Sequence, residues 1–434
     1  MFYSGTVTHT VFVDISQLRL GMFVHLDVGW LNHPFRSNRF CLSSPSQIHL
    51  LQDMGLKKVR CVLPSGMAAN LDSEAPAPEV EVEVASLQLL QEEAAAQADR
   101  MHAHQWLQEQ QVLERCDQRF AQATAQFRSV VQSAQGDLAP ARALSESVVC
   151  TCVAQLLEHE EPAIYLLSQS VGERAVHHPV NVMVLSLLLG KVQGLAATGL
   201  QQLGMAALLH DLGKLCQPEN LVQPLSNWTA SDRQTYKNHV GQSADLARRM
   251  HLADGVVDAI AQHHEMADGS GFPLRLRSQE MQLAGKVLAL VNHYDGLCNP
   301  FATTDALTPH EALSHLFVQC KTLFDPLLLQ AFIRMMGVYP PGSVVQLVDG
   351  RYALVVSVNS AKPLRPRVVV HDPDVPRHSA RTVNLEESPH LGIRCSLKPL
   401  QLPHAAFEYL APRQRISYFF ERSLDVNSPA EARP

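Results

Sequence analysis

Leu208-Leu-His-Asp-Leu-Gly-Lys214 is the stretch on which the reading of this chain depends. An apolar run with helical spacing, Leu200 to Leu209, leads into it and ends in the polar pair His210-Asp211. A neutral imidazole nitrogen beside an anionic carboxylate is a metal-ligand pair. Lys214 follows three residues later and shares a face with Asp211 if the helix persists. A cation so placed can meet an anionic oxygen of a bound phosphate. A lone His-Asp pair proves little, so its weight depends on what surrounds it.

Outward from that stretch, about Leu144 to Met336 reads as mainly helical. Periodic apolar segments fall at Val148–Leu157, Ala163–Gln169, Val180–Val192, Leu200–Leu215, Asp232–Met250, Val256–His263, Met281–Leu297, Pro309–Phe317 and Pro326–Met336. Imidazoles and carboxylates recur near the predicted helix ends: His178, His210-Asp211, His239 and His263-His264. Neighbours on a continuing helix point about 100° apart, so His263 and His264 share one metal more easily at a helix end. Gly269-Ser-Gly-Phe-Pro273 is a breaker cluster that supplies such an end. Five histidines and an aspartate exceed the needs of one tetrahedral zinc. They suit two divalent metal ions bridged by Asp211, the arrangement that clamps phosphoryl oxygens. A histidine-rich set without thiolate fits iron, manganese or zinc, and composition does not choose among them.

The flanks have different textures. Residues 1 to about 70 read as a small α/β or β-rich module, with alternation at Val11-Phe-Val-Asp14, a short helix at Ser46–Met54 and a strand at Val59–Leu63. Trp30 to Phe35 is a turn-rich aromatic patch in which His33 has no clustered partner. Ser65 to about Val82 is a Pro, Ala and Glu linker, and 71–140 as a whole is a linker and helical connector. Within it, Glu83 to Gln135 has strong helix composition and no Pro or Gly. Its apolar positions are sparse, which leaves a connector, a regulatory stalk or a homodimerising coiled coil. Gly136-Asp-Leu-Ala-Pro140 breaks that run. Beyond Met336, Ser343–Val348 and Arg351–Val358 flank Asp349-Gly350 and predict a β-hairpin. With Arg365–His371, Thr382–Leu385 and Ile393–Leu397 they predict a small antiparallel sheet or SH3-like barrel over 338–425, before a disordered 426–434. The expected fold is therefore multidomain and mainly α, with an all-α centre over 141–337.

Bulk properties restrict the partners. With 434 residues the chain exceeds one ordinary core. A net charge of −7, without a long basic run, gives no reason to expect a nucleic acid polymer as ligand. An anionic substrate must be drawn by bound cations. No signal peptide is read, and the most apolar stretches, Val182–Leu189 and Met205–Leu209, are too short to span a bilayer. Nine cysteines without framework spacing suggest a reduced, cytoplasmic compartment, with Cys150 and Cys152 as packing residues.

The order of motifs carries a resemblance. His178-Pro-Val-Asn-Val, His210-Asp-Leu-Gly-Lys214, Lys237-Asn-His-Val-Gly241 and His263-His-Glu-Met-Ala-Asp-Gly-Ser-Gly-Phe-Pro273 resemble the HD-GYP family, a branch of the HD phosphohydrolases, over about residues 170–336. Leu18-Arg-Leu-Gly-Met-Phe-Val24 and Trp30–Phe35 are similar to the small domain that often precedes HD-GYP domains. The family hydrolyses the bacterial second messenger cyclic di-GMP to pGpG or GMP. The resemblance implies that His178, His210 and Asp211 hold one metal, and that Asp211 bridges to a second held by His239, His263 and His264. It also implies that Lys214 contacts the scissile phosphate and that Gly271-Phe272-Pro273, the naming tripeptide, helps bind substrate.

Three departures stand out. The family's last ligand aspartate falls at Asn292, a weak neutral donor. The usual Arg-rich segment is replaced by Gly296-Leu-Cys-Asn-Pro-Phe301. Arg174 stands where trinuclear members carry a glutamate, which argues against a third metal. His177 and His251 are read as non-ligands, and His293 as pointing away from Asn292. Asp295 is expected to support or pack, and Glu265 to hydrogen-bond near the site. The expected function is a metal-dependent cyclic di-GMP phosphodiesterase. The alternative is a catalytically weak or inactive relative acting as a cyclic di-GMP sensor or interaction module.

Overall fold

A computed structural model describes residues 9–26, 39–42, 44–53, 57–63, 79–168, 174–218, 221, 228–301, 305–359, 362–377, 380, 382–388 and 390–422. Trp30–Phe35, His33 and the 426–434 tail lie outside the described residues. The chain divides into two compact units, Met1–Ala96 and Gln97–Pro434.

In the first unit, β1 (His9–Asp14), β2 (Phe23–His25), β3 (Arg39–Cys41) and β4 (Lys58–Leu63) form an antiparallel sheet in the order β1-β4-β2-β3. Helix α1 (Pro45–Asp53) accompanies them, and Val24, Leu26, Leu42, Leu51 and Cys61 form the core. Of the two readings, α/β or β-rich, four strands with one helix describe the α/β form.

The predicted connector is one helix, α2 (Glu79–Ala134), of 56 residues, starting four residues before the predicted Glu83. Val112, Cys116, Phe120, Ala123, Phe127 and Val130 recur every three or four residues and are buried in the second unit's core. The chain itself covers this stripe.

The second unit continues with α3 (Leu138–Leu157), β5 (Pro162–Leu166), α4 (Arg174–Val192), α5 (Ala197–Leu209), α6 (Ala230–Lys237), α7 (His239–Arg249), α8 (Asp254–Ala261), α9 (Leu283–Cys298), α10 (Pro309–Val318) and α11 (Pro326–Met336). The Asp137 side chain caps α3 by accepting from the Ala139 N–H at 3.0 Å, just after the Gly136 break. The segment Asp232–Met250, predicted as continuous, is α6 and α7 divided at Asn238. By length and composition α4 could cross a membrane, which the shorter predicted stretch did not suggest. Here it is the core helix: Val180 to Gly190 is buried throughout.

The strands β6 (Val344–Leu347), β7 (Tyr352–Asn359), β8 (Arg367–Val370), β9 (Thr382–Asn384), β10 (Ile393–Leu397) and β11 (Tyr418–Arg422) follow, with α12 (His404–Leu410) before β11. Gly350 turns the β6–β7 hairpin at φ +91°, as the Asp-Gly pair predicts. Two expectations are corrected by β5. Ala163–Gln169 was read as helical, but β5 is a strand between β7 and β11, in the sheet order β10-β6-β7-β5-β11. Ala163 to Leu166 is buried residue after residue, so the apolar run lacks the alternation that marks a half-exposed strand. Because β5 pairs with strands from beyond residue 338, the centre is not all-α and the sheet is not a body separate from the helices. Tyr418, Phe419 and Phe420 belong to the same core as α4 and α9.

All nine cysteines are free. Cys152 packs as expected, but Cys150 is exposed, two residues away on α3.

Candidate metal centre

The deciding stretch sits where α5 ends. Helix geometry stops at Leu209, Asp211 adopts φ −102° and ψ 5°, and a tighter 3-10 turn runs from Leu212 to Cys216. The predicted helix through Lys214 is therefore absent. Residues three apart eclipse in a 3-10 turn, so Lys214 still falls over Asp211, with Nζ 2.5 Å from Oδ2. Gly213 lets this turn pass against α7. A Cβ there would lie 2.3 Å from the His239 carbonyl oxygen, and the Gly213 N–H donates to Ser243 Oγ at 2.8 Å. That close approach brings His239, the first residue of α7, to Asp211.

The Asp211 carboxylate divides the pocket. Its Oδ2 lies 3.5 Å from His210 Nε2 and 3.7 Å from His178 Nε2. Its Oδ1 lies 3.4 Å from His239 Nε2 and 3.9 Å from His263 Nε2. Within each pair the two Nε2 atoms are 3.3 Å apart. His264 joins the second pair, with all three donor atoms within 4.8 Å of one another.

Every Nδ1 in the four-histidine set is already engaged. His210 donates to the Ala207 carbonyl (2.7 Å), His239 to Tyr236 (2.5 Å) and His263 to Ile260 (2.6 Å). His178 donates to Asp295 Oδ2 at 2.5 Å. These bonds put the proton on Nδ1 and leave each Nε2 lone pair facing the carboxylate. Asp211 Oδ1 is buried without a hydrogen-bond partner. A buried carboxylate oxygen without a donor, facing two imidazole lone pairs, is unfavourable unless a cation lies between them. The residues present therefore fit a metal.

Protonation agrees with this. Burial lowers His210 to about 4 against the neighbouring Asp211, and it lowers His239. Burial, together with adjacent histidines, holds His263 and His264 well below their ordinary value. Burial would raise Asp211, but Lys214 and the surrounding histidines outweigh it and hold the carboxyl well below the usual range. Neutral imidazoles around an ionised carboxylate are the ligand forms metals require.

Asp295, expected to support the site or to pack, supports it by holding His178. It is buried on α9 and also accepts from Asn181 Nδ2, through Oδ1, and from Asn299 Nδ2 at 2.9 Å. Both asparagines are tied to the backbone beside β11: Asn299 exchanges two bonds with Ile416, each 2.8 Å, and Asn181 accepts from the Tyr418 N–H at 2.9 Å. Sequence reasoning missed Asn181 and Asn299. The available signals were Asn181's position one turn after His178 and Asn299's one turn after Asp295.

The other named residues line the approach. Gly271 packs where a Cβ would sit 2.4 Å from the Met266 nitrogen and 2.6 Å from the His264 carbonyl oxygen. Glu265, fully buried, accepts from the Leu274 and Leu276 N–H groups at 2.6 and 2.9 Å and fixes this loop. Hydrogen bonds to a charged acceptor contribute about 1.5–3 kcal/mol each. The Phe272–Pro273 bond is cis. Phe272 stacks on His264 with centroids 4.6 Å apart, and Lys237 Nζ lies 4.8 Å from the Phe272 centroid. A cavity of about 360 Å³ is lined by His178, Asp211, Lys214, His263, His264, Asn292 and Arg174, among others. A second, of about 520 Å³, is lined by Lys237, Gly271, Phe272, Pro273 and Arg275. Arg174 donates to the Asn299 carbonyl at 2.6 Å and covers the Phe301 ring at 3.9 Å. His177 instead meets Phe120, and His251 sits at positive φ outside the pocket.

Residues 151–328 match the HD domain family, and residues 10–143 match a domain of unknown function, DUF3391. Residues 151–328 therefore carry an HD domain. It is 26% identical over 362 residues to the cyclic di-GMP phosphodiesterase PA4108 of Pseudomonas aeruginosa, covering 82% of this chain and 84% of that protein. It is 25% identical over 186 residues to the 3'3'-cGAMP-specific phosphodiesterase 2 of Vibrio cholerae, covering 42% of this chain and 36% of that one. Among solved structures, Bd1817, an HDG"Y"P protein from Bdellovibrio bacteriovorus, aligns with a TM-score of 0.40 at 18% identity, over 75% of this chain and 98% of that one.

Proposed function

We propose that this HD-GYP chain is a metal-dependent phosphodiesterase that hydrolyses cyclic di-GMP to pGpG, GMP or both in bacterial second-messenger signalling. The observation that carries the reading is Asp211, whose two oxygens each face a pair of imidazole lone pairs. In this reading His178, His210 and Asp211 would hold one divalent ion, with Asn292 as a neutral amide donor. Asp211, His239, His263 and His264 hold the second. Iron, manganese and zinc all suit the donors. When bound, two such ions supply an activated water and neutralise charge on the phosphoryl oxygens. Asp211 presents one oxygen to each histidine set, and Lys214 would offset charge at a non-bridging phosphate oxygen. Gly271 lets the loop approach, and Phe272 and Pro273 wall the second cavity against a guanine base.

The domain layout that goes with this reading has the 9–63 sheet as an input module and α2 as its connector, in a cytoplasmic protein. Because α2 buries its stripe from Val112 onward, homodimerisation would use its earlier part.

The test is anaerobic purification of the full chain, metal analysis, and product analysis with cyclic di-GMP beside 3'3'-cGAMP. Metal-dependent release of pGpG or GMP is expected. Metal-loaded protein that binds but does not cut cyclic di-GMP would instead support the second reading, a sensor or interaction module. Asn292 favours that alternative, because an amide withdraws one negative charge from the first metal's ligand set. Failure to bind or cut cyclic di-GMP would refute both the phosphodiesterase and the sensor, leaving the interaction module.

A further inference from the structure

His293 lines the metal cavity beside Asn292, and its ring nitrogen meets a different cluster. Its Nε2 lies 4.0 Å from Cys320 Sγ, and the ligand atoms of His293, His315 and Cys320 all lie within 4.8 Å of one another. His293 belongs to α9, His315 to α10, and Cys320 to the turn that closes α10. The Cys320 N–H donates to the His315 carbonyl at 3.2 Å, which folds the thiol back beside that histidine. Phe324 holds the His293 ring edge-on at 5.4 Å. Among the described residues, the His293 ring has no hydrogen-bonding partner except the Cys320 sulfur, and the His315 ring has none.

We propose that His293, His315 and Cys320 form a separate binding site for one zinc ion. Zinc binds imidazole nitrogen at about 2.0–2.1 Å and thiolate sulfur at about 2.3 Å. A tetrahedral angle between such bonds gives a nitrogen–sulfur separation of about 3.6 Å. Closing 4.0 Å to that value needs only side-chain adjustment. Two imidazoles with one thiolate is a softer donor set than the carboxylate-containing pocket and selects zinc over manganese or magnesium. Binding replaces the Cys320 proton, which is released to solvent, with a metal–sulfur bond. Three protein donors leave a fourth position for water or another ligand. The ion would clamp α10 to the turn of α9 that presents Asn292.

The test uses the full chain, stripped of metal and titrated anaerobically with cobalt(II). Cobalt bound to a thiolate gives a charge-transfer band in the near ultraviolet. The Asp211 pocket contains no thiolate and cannot produce it. The band should appear in the wild type, vanish in Cys320→Ser, and need higher cobalt concentration in His315→Gln. Zinc-loaded Cys320→Ser should hold one ion fewer per chain than the wild type, whatever the Asp211 pocket contains. Circular dichroism checks that Cys320→Ser folds. If it does not, His315→Gln, at a partly exposed helix position, carries the test. No band in the wild type, a band that survives Cys320→Ser, equal zinc in both proteins, or an unchanged titration in His315→Gln would overturn the site.

Discussion

His178 and Asp295 are joined from Nδ1 to Oδ2 at 2.5 Å, across α4 and α9. Asp295 receives three side-chain donors, from His178, Asn181 and Asn299, and uses both oxygens to do so. An amide has one acceptor oxygen, so Asp295→Asn must set its NH2 against at least one donor. Such supports are worth about 10–100-fold in metal affinity. Asp295→Asn should therefore weaken one metal equivalent by roughly that factor while the chain stays folded. Competitive chelator titration reads this, and unchanged affinity would sink the assignment.

Asn292→Asp restores a carboxylate on the wall of the metal cavity. Metal affinity should rise at least about tenfold, following the gain of a charged oxygen donor. Cyclic di-GMP turnover should rise with it. A variant with tighter metal binding and unchanged turnover would show that Asn292 does not limit catalysis.

Lys214→Met removes the cation over Asp211. With metals loaded, kcat should fall about 10²–10³-fold, the scale of one lost charge-stabilising donor, with KM for cyclic di-GMP less affected. Steady-state kinetics at saturating metal separates the two parameters. A change confined to KM would assign Lys214 to binding alone.

The metal-free protein should lose stability as pH falls below about 6.5, the ordinary histidine value. Burial lowers His210 to about 4 and lowers His239, His263 and His264, so the unfolded chain takes up protons that the folded chain refuses. Stability is present above the unfolded value and is lost as pH falls towards the folded one. His210 alone accounts for a loss on the order of 3 kcal/mol across that window. Urea midpoints at pH 7.5, 6 and 5 should fall in that order, and a flat profile would contradict neutral buried imidazoles.

Gly271→Ala places a methyl group against the Met266 nitrogen and the Glu265 Cα, both backbone atoms. Overpacking of this kind costs about 1–3 kcal/mol, and the loop carrying Phe272 must shift. Denaturant unfolding reads the cost. Wild-type stability together with wild-type affinity for cyclic di-GMP would show that the loop's position is unimportant.

The histidines were legible because they stand at ends of strongly periodic helices, and the structure does gather His178, His210, Asp211, His239, His263 and His264. Lys214 came out on the expected face through a 3-10 turn that no periodicity announces. The support beneath His178 was legible only in part: Asp295 was read as a supporting or packing residue, but nothing in the sequence shows that Asn181 on α4 and Asn299 at the end of α9 converge on it. The strand at Ala163–Leu166 was misread because burial on both faces removes the alternation that distinguishes strand from helix. Hydrophobic pattern reports how a segment meets its surroundings, and it is silent when every direction is the same.

One consequence concerns the order in which the molecule can be made. Asn181 and Asn299, the two braces on Asp295, are themselves tied to the backbone at Ile416 and Tyr418. β5 waits for the same segment, since Tyr418 pairs with Leu166 across about 250 residues of chain. A nascent chain leaving the ribosome would carry every histidine of the pocket while its scaffold was still open. Metal taken up then would meet a ligand set without its final alignment, so a stop codon anywhere before the last strand should yield a protein with the right side chains and the wrong centre.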